Sequence, residues 1–142
     1  MSEALEQRLR RIVDRYLFRL SPLADVRAEG ESRICATDLA RRRAARPERA
    51  FRYTATAYRK SGARALHVET GPGGKLCMDL PHEASASAPQ GDVSRYVVVR
   101  VANGAAAYPL LAHFYDMGAR GYRLVGLERA DSADVEPAVW GL

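Results

Sequence analysis

Phe51-Arg52-Tyr53-Thr54-Ala55-Thr56-Ala57-Tyr58-Arg59 alternates residue by residue, with β-favouring side chains on both faces, and Lys60-Ser61-Gly62 closes a turn behind it. A period of two is that of a strand, and its onset at residue 51 divides the chain. Arg64 to Thr70 and Lys75 to Leu80 read as two further strands joined by Gly71-Pro72-Gly73-Gly74, so the three form a meander. Side chains directly opposite one another share a face. Leu66 and Val68 therefore meet Leu76, Met78 and Leu80 only if residues 71–75 form the loop, which pairs Val68 with Met78. The same register sets His67 against Asp79, and Glu69 against Cys77, on the other face.

Residues 81–94, rich in Ser, Ala, Pro and Gly with almost no bulky apolar side chain, read as a flexible loop within the sheet. Arg95 to Ala102 is apolar enough to be a central strand, and Asn103-Gly104 is a strong hairpin signal. Leu110 to Met117 reads either as a strand joined by a Gly-rich turn to Tyr122 to Arg129, or as a helix starting at Pro109 and capped by Gly118. The Asn-Gly pair and the adjacent aromatics favour the strand. Residues 130–142 form an acidic, Pro-containing tail ending near Trp140.

Upstream of residue 51 the spacing is helical. Leu5, Leu9, Ile12, Val13, Tyr16, Leu17 and Leu20 recur on one face of a helix over Glu3 to Leu20, with Arg8, Arg11, Arg15 and Arg19 along an adjoining strip. Such a stripe is expected to pack on the sheet while the guanidinium groups stay wet. Ser21-Pro22 ends this helix and opens a turn running to Gly30, and Thr37 to Arg46 reads as a second helix stopped by Pro47.

The 142 residues suffice for one domain with a sizeable core, helical over 1–50 and sheet-forming over 51–129. At 47% hydrophobic and 27% charged, the composition excludes collagenous and wholly disordered chains. No apolar run approaches the roughly 20 residues of a membrane span, and the opening Met-Ser-Glu-Ala-Leu-Glu-Gln-Arg lacks the pattern of a secretory signal, so a cytoplasmic location is expected. Residues 1–60 carry 15 Lys and Arg against 8 Asp and Glu, so the net +5 belongs to the first half. Cys35 and Cys77 lack the close spacing of zinc or redox pairs, and two free buried thiols are expected, a disulfide arising only if the chain is exported.

No Gly-x-Gly-x-x-Gly, phosphate loop, His-Glu-x-x-His or Gly-x-Ser-x-Gly is present, so no cofactor and no metal are expected. His67, Glu69 and Asp79 are the best polar constellation: on a concave face they form an acid/base site, and on a wet face a surface ion pair. His113, Tyr115, Asp116 and Tyr122 do not all converge, because His113 and Tyr115 share one face of a strand while Phe114 and Asp116 share the other.

The order helix, turn, helix, then about five antiparallel strands describes an α+β domain with N-terminal helices packed on one face of a mostly antiparallel twisted sheet. In element order it resembles the cone-shaped nuclear transport factor 2-like and cystatin-like domains, a resemblance that implies a fold and transfers no functional residue. Three functions follow. The leading one is a non-catalytic small-ligand-binding or protein-assembly domain, with Phe51, Tyr53, Val97, Val99 and Tyr122 shaping a pocket or interface, and a homodimer, an apolar ligand or a protein as partner. The second is a small cofactor-independent lyase or isomerase using His67, Asp79 and Glu69. The third is a binder of nucleic acid or another anionic polymer through Arg41, Arg42, Arg43, Arg46 and Arg49.

Overall fold

Alternation from residue 51 onward is realised as strands, and the same pattern extends upstream where the sequence spacing concealed it. The computed structural model describes residues 2–19, 21–43, 51–83, 91–104 and 108–130, with the side chains of 13–19 and 43 excepted. Its elements are α1 (Glu3–Arg19), β1 (Leu23–Glu29), β2 (Arg33–Asp38), α2 (Leu39–Arg43), β3 (Tyr53–Arg59), β4 (Gly62–Leu66), β5 (Val68–Thr70), β6 (Lys75–Asp79), β7 (Tyr96–Asn103), β8 (Leu110–Asp116) and β9 (Tyr122–Arg129). The strands are joined in antiparallel ladders, in two sheets of order β1-β2-β6-β5 and β4-β3-β7-β8-β9.

The core lies between these sheets. Ile34, Ala36, Leu76, Met78 and Leu80 from the first side meet Ala55, Ala57, Val97, Val99, Leu110 and Phe114 from the second. This corrects the expectation of helices covering one face of one sheet. Each sheet buries its apolar face against the other, which satisfies the same requirement without a helical layer. Consistently, Leu5, Leu9 and Ile12 of α1 are 56%, 54% and 64% exposed, where the sequence stripe was expected to be packed.

The turn expected over 21–30 is instead β1. Its alternation is broken by a bulge between Ala24 and Arg27, with Asp25 in the left-handed region at φ 52°, so Leu23, Val26 and Ala28 reach the core without a regular period. Residues 33–38, assigned no strand from the sequence, alternate Ile34, Ala36 and Asp38 inward as β2. The helix expected from Thr37 is limited, among the described residues, to Leu39–Arg43, and Asp38 supplies the cap through Oδ1 to the Arg41 N–H at 3.0 Å.

The expected meander divides at His67. Leu66 pairs with Ala55 in one sheet, while Val68 pairs with Met78 in the other, so the residue between them carries the chain across. The expected pairing of Val68 with Met78 and Glu69 with Cys77 holds, but Leu66 lies in the ladder of β3 and reaches the shared core from the other sheet. Cys35 and Cys77 stand directly opposite in the β2–β6 ladder and are joined as a disulfide, which corrects the expectation of free thiols. Of the two alternatives for residues 110–117, the strand is found as β8.

Two glycines hold close approaches. A Cβ on Gly74, at φ +82°, would lie 2.4 Å from the Asp38 carbonyl oxygen, so glycine lets the β5–β6 turn seat against α2. Gly121, at φ +83°, lies against the β1–β2 turn, where a Cβ would come within 2.7 Å of the Gly30 oxygen. At the other end of β9, Arg129 donates from Nη2 to the Leu23 carbonyl at 2.9 Å. Strands β1 and β9 are thereby held side by side at both ends.

Candidate functional site

The polar residues buried by this arrangement gather in two clusters at the sheet ends. In the first, the chain leaving β6 as Pro81-His82-Glu83 crosses the ends of β3, β8 and β9. His82 Nδ1 faces both oxygens of the fully buried Asp116 at 2.8 and 2.9 Å, and Nε2 lies 2.7 Å from the Glu31 carbonyl oxygen. The ring stacks on Tyr122 with centroids 4.8 Å apart and planes 1° from parallel. Arg59, 3% exposed, donates from Nη2 to the Pro81 carbonyl and to the Tyr122 hydroxyl, each at 2.9 Å. Its Nη1 has no hydrogen-bond partner and lies 3.9 Å from Asp116 Oδ2. Arg95 donates to the Asp116 backbone carbonyl, and the Gly118 N–H to Asp116 Oδ1. Burial pushes the Tyr122 phenol up to about 12, against the opposing pull of the Arg59 charge.

An imidazole oriented by a carboxylate is the minimal apparatus of proton transfer. Here, however, both ring nitrogens are engaged, Nε2 with a carbonyl that can only accept and Nδ1 with Asp116. No ring lone pair is left for a substrate. As built, the cluster ties the β1–β2 turn and the segment after β6 to the end of β8.

The second cluster centres on Asp38, which is fully buried. Its Oδ2 accepts from the Tyr53 hydroxyl at 2.7 Å and from Asn103 Nδ2. Burial and the hydrogen bond to Asp38 hold the Tyr53 phenol well above its ordinary range. Arg41 donates from Nη1 to the Lys75 carbonyl and from Nη2 to the Gly71 carbonyl, fastening α2 to the β5–β6 turn. On the outer face of the larger sheet, His113 sits between the Tyr96 hydroxyl on Nδ1 and Glu128 on Nε2 at 2.9 Å.

The expected site residues are distributed as follows. His67 and Asp79 are exposed and make no hydrogen bond or ion pair among the described residues, and Glu69 pairs with Arg33 at 2.9 Å. Val97, Val99 and Tyr122 are buried and Tyr53 is half-buried on the inner side of the sheets, and Phe51, ahead of β3, is buried as well. Arg42 is exposed, whereas Arg46, Arg49 and the Arg43 side chain lie outside the described residues, as do 84–90 of the expected loop and 131–142 of the tail. Sequence reasoning placed His82 in a mobile loop, since its partner Asp116 is 34 residues away and no local spacing joins them.

Among the described residues, one group of possible metal ligands converges: Glu29, Cys35 and Cys77. With both sulfurs in the disulfide no thiolate is available, and Glu29 is paired with Arg27 and Lys75. Despite some desolvation, those cations hold the Glu29 carboxyl below its usual range. The residues do not fit a metal centre.

At the β8–β9 end the surface opens into a cleft of about 410 Å³ lined by Tyr115, Met117, Arg123, Leu124 and Val125. Tyr115 and Arg123 are cross-strand partners, so they share one face. The register shift beside Phe114 leaves Val125 as an extra residue, 60% exposed at the rim. The Tyr115 hydroxyl accepts from the Gly91 N–H, and Arg123 has no hydrogen bond or ion pair among the described residues. No protein-family model, curated protein or solved structure matches this chain.

Proposed function

We propose that the protein is a non-catalytic binding module that takes a small ligand with a flat apolar body and a carboxylate. The observation that carries this reading is the β8–β9 cleft: Tyr115, Met117, Leu124 and Val125 line it together with Arg123, which has no hydrogen bond or ion pair among the described residues. Its volume is that of a small-molecule site, and an unspent guanidinium fork is complementary to a carboxylate. The alternatives draw in part on groups already engaged, and His67 and Asp79 make no hydrogen bond or ion pair with one another. The acid/base reading has Glu69 tied to Arg33, and the anionic-polymer reading has Arg41 bonded to two carbonyls. The Cys35–Cys77 bond favours a compartment that keeps disulfides oxidised over the expected cytoplasm.

Amide chemical shifts followed during titration with benzoate, and separately with benzamide, test the reading. Benzoate is expected to move the signals of Tyr115, Met117 and residues 123–125, and benzamide to leave them nearly still. Arg123→Gln is expected to weaken benzoate roughly ten- to hundredfold, the equivalent of one charge-assisted hydrogen bond. Equal shifts with both compounds, or benzoate shifts unchanged in Arg123→Gln, exclude the proposal.

A further inference from the structure

The described part of α1 carries an apolar stripe that is exposed. Leu5, Leu9 and Ile12, at i, i+4 and i+7, form one stripe, and each is more than half exposed. The core between the sheets is assembled from strand residues and does not draw on these three. Of the arginines, Arg8 borders the stripe, across from Glu6 on its other edge, and Arg10 and Arg11 stand about 130° from its centre, on the polar side of the helix. All three are exposed, and none makes a hydrogen bond or ion pair among the described residues. Glu3 and Glu6 sit in the first turn, where they complement the helix dipole and leave the rest of the helix basic.

Charge decides between possible occupants. A second copy related by an antiparallel twofold axis would set the Arg8 flank against the same flank of its mate, placing like charges together. An anionic lipid surface supplies what both parts of the helix lack: phosphate oxygens for the three guanidinium groups and an acyl boundary for the aliphatic stripe. Arginine suits this arrangement because its stem lies along apolar surface while its head reaches the headgroups. We propose that α1 lies in the surface of membranes carrying anionic lipids, with Leu5, Leu9 and Ile12 inward and Arg8, Arg10 and Arg11 at headgroup level.

The full chain is mixed with vesicles of phosphatidylcholine alone, and with vesicles also carrying phosphatidylglycerol, at low and high salt, and the bound fraction is read by flotation. Binding to the anionic vesicles is expected at low salt, falling at high salt, with none to phosphatidylcholine. Arg8→Gln, Arg10→Gln and Arg11→Gln together are expected to weaken it roughly a hundredfold, about fivefold for each charge. Leu5→Ser, Leu9→Ser and Ile12→Ser together are expected to abolish it while unfolding cooperatively like the parent, which separates lost insertion from lost folding. Absence of binding at low salt overturns the proposal. So does undiminished binding by the serine variant, which would reduce the effect to the net charge of +5. A concentration-dependent dimer in sedimentation velocity, lost in the serine variant, would assign the stripe to a second copy and overturn it equally.

Discussion

Tyr122 shows what one side chain contributes to the end of the sandwich: its ring stacks on His82, meets Phe114 edge-on, and carries a hydroxyl that accepts from Arg59. Its phenol is pushed up to about 12 by burial, whereas in the unfolded chain it titrates near 10. Between those values the unfolded state has released the proton and the folded state has not, so unfolding is favoured as pH rises. Urea-unfolding free energies are therefore expected to be fully retained below about pH 10 and to fall through the interval above it. Tyr122→Phe should flatten the decline in part, since Tyr53 is raised in the same direction by burial beside Asp38. A decline as steep in Tyr122→Phe as in the parent would show that this phenol does not stay protonated in the fold. The residues of this cluster were hidden from the sequence because Arg59, His82, Asp116 and Tyr122 come from four separated segments. By contrast, His113 and Tyr115 on one face with Phe114 and Asp116 on the other followed directly from alternation, and the structure keeps that division.

At the level of elements, regular period was legible and its interruptions were not. Strand β3 alternates cleanly, and β3, β7 and β9 lie close to where composition and spacing put them. Strand β1 was missed because its bulge at Asp25 breaks the period, and β2 because Thr37-Asp38, its end, reads as the cap of a helix. Missing β2 concealed the partner of β6, and with it the opposition of Cys35 and Cys77. That bond closes a segment of 42 residues, so its removal is expected to cost about 4 kcal/mol through restored freedom of the unfolded chain. Denaturant melts of the oxidised protein with and without a thiol reductant, alongside the double variant Cys35→Ser and Cys77→Ser, measure this. Coincident curves would place the stabilisation elsewhere. The division at His67 is of the same kind: one residue leaves one ladder and the next enters another, which no periodicity marks, because both halves keep a period of two.

For the whole molecule the question is which apolar surface is core. Phe114, fully buried between the sheets, and Leu9, 54% exposed on α1, are alike in hydrophobicity and opposite in setting. Phe114→Ala is expected to cost about 3–5 kcal/mol by emptying the core, and Leu9→Ser to stay within about 0.5 kcal/mol. Equilibrium urea unfolding of both distinguishes them, and comparable losses would mean that the helix belongs to the core after all. The sequence by itself determined that the chain turns from helix to strand, that the strands pair antiparallel, and that Val68 faces Met78, because these follow from side-chain period and the short reach of turns. Only the tertiary structure decided that two sheets close on one another, that Leu5, Leu9 and Ile12 of α1 stay outside the core between them, and that His82, Asp116, Arg59 and Tyr122 meet. Those outcomes depend on which apolar face finds which, a competition among distant segments of similar hydrophobicity that local spacing does not encode.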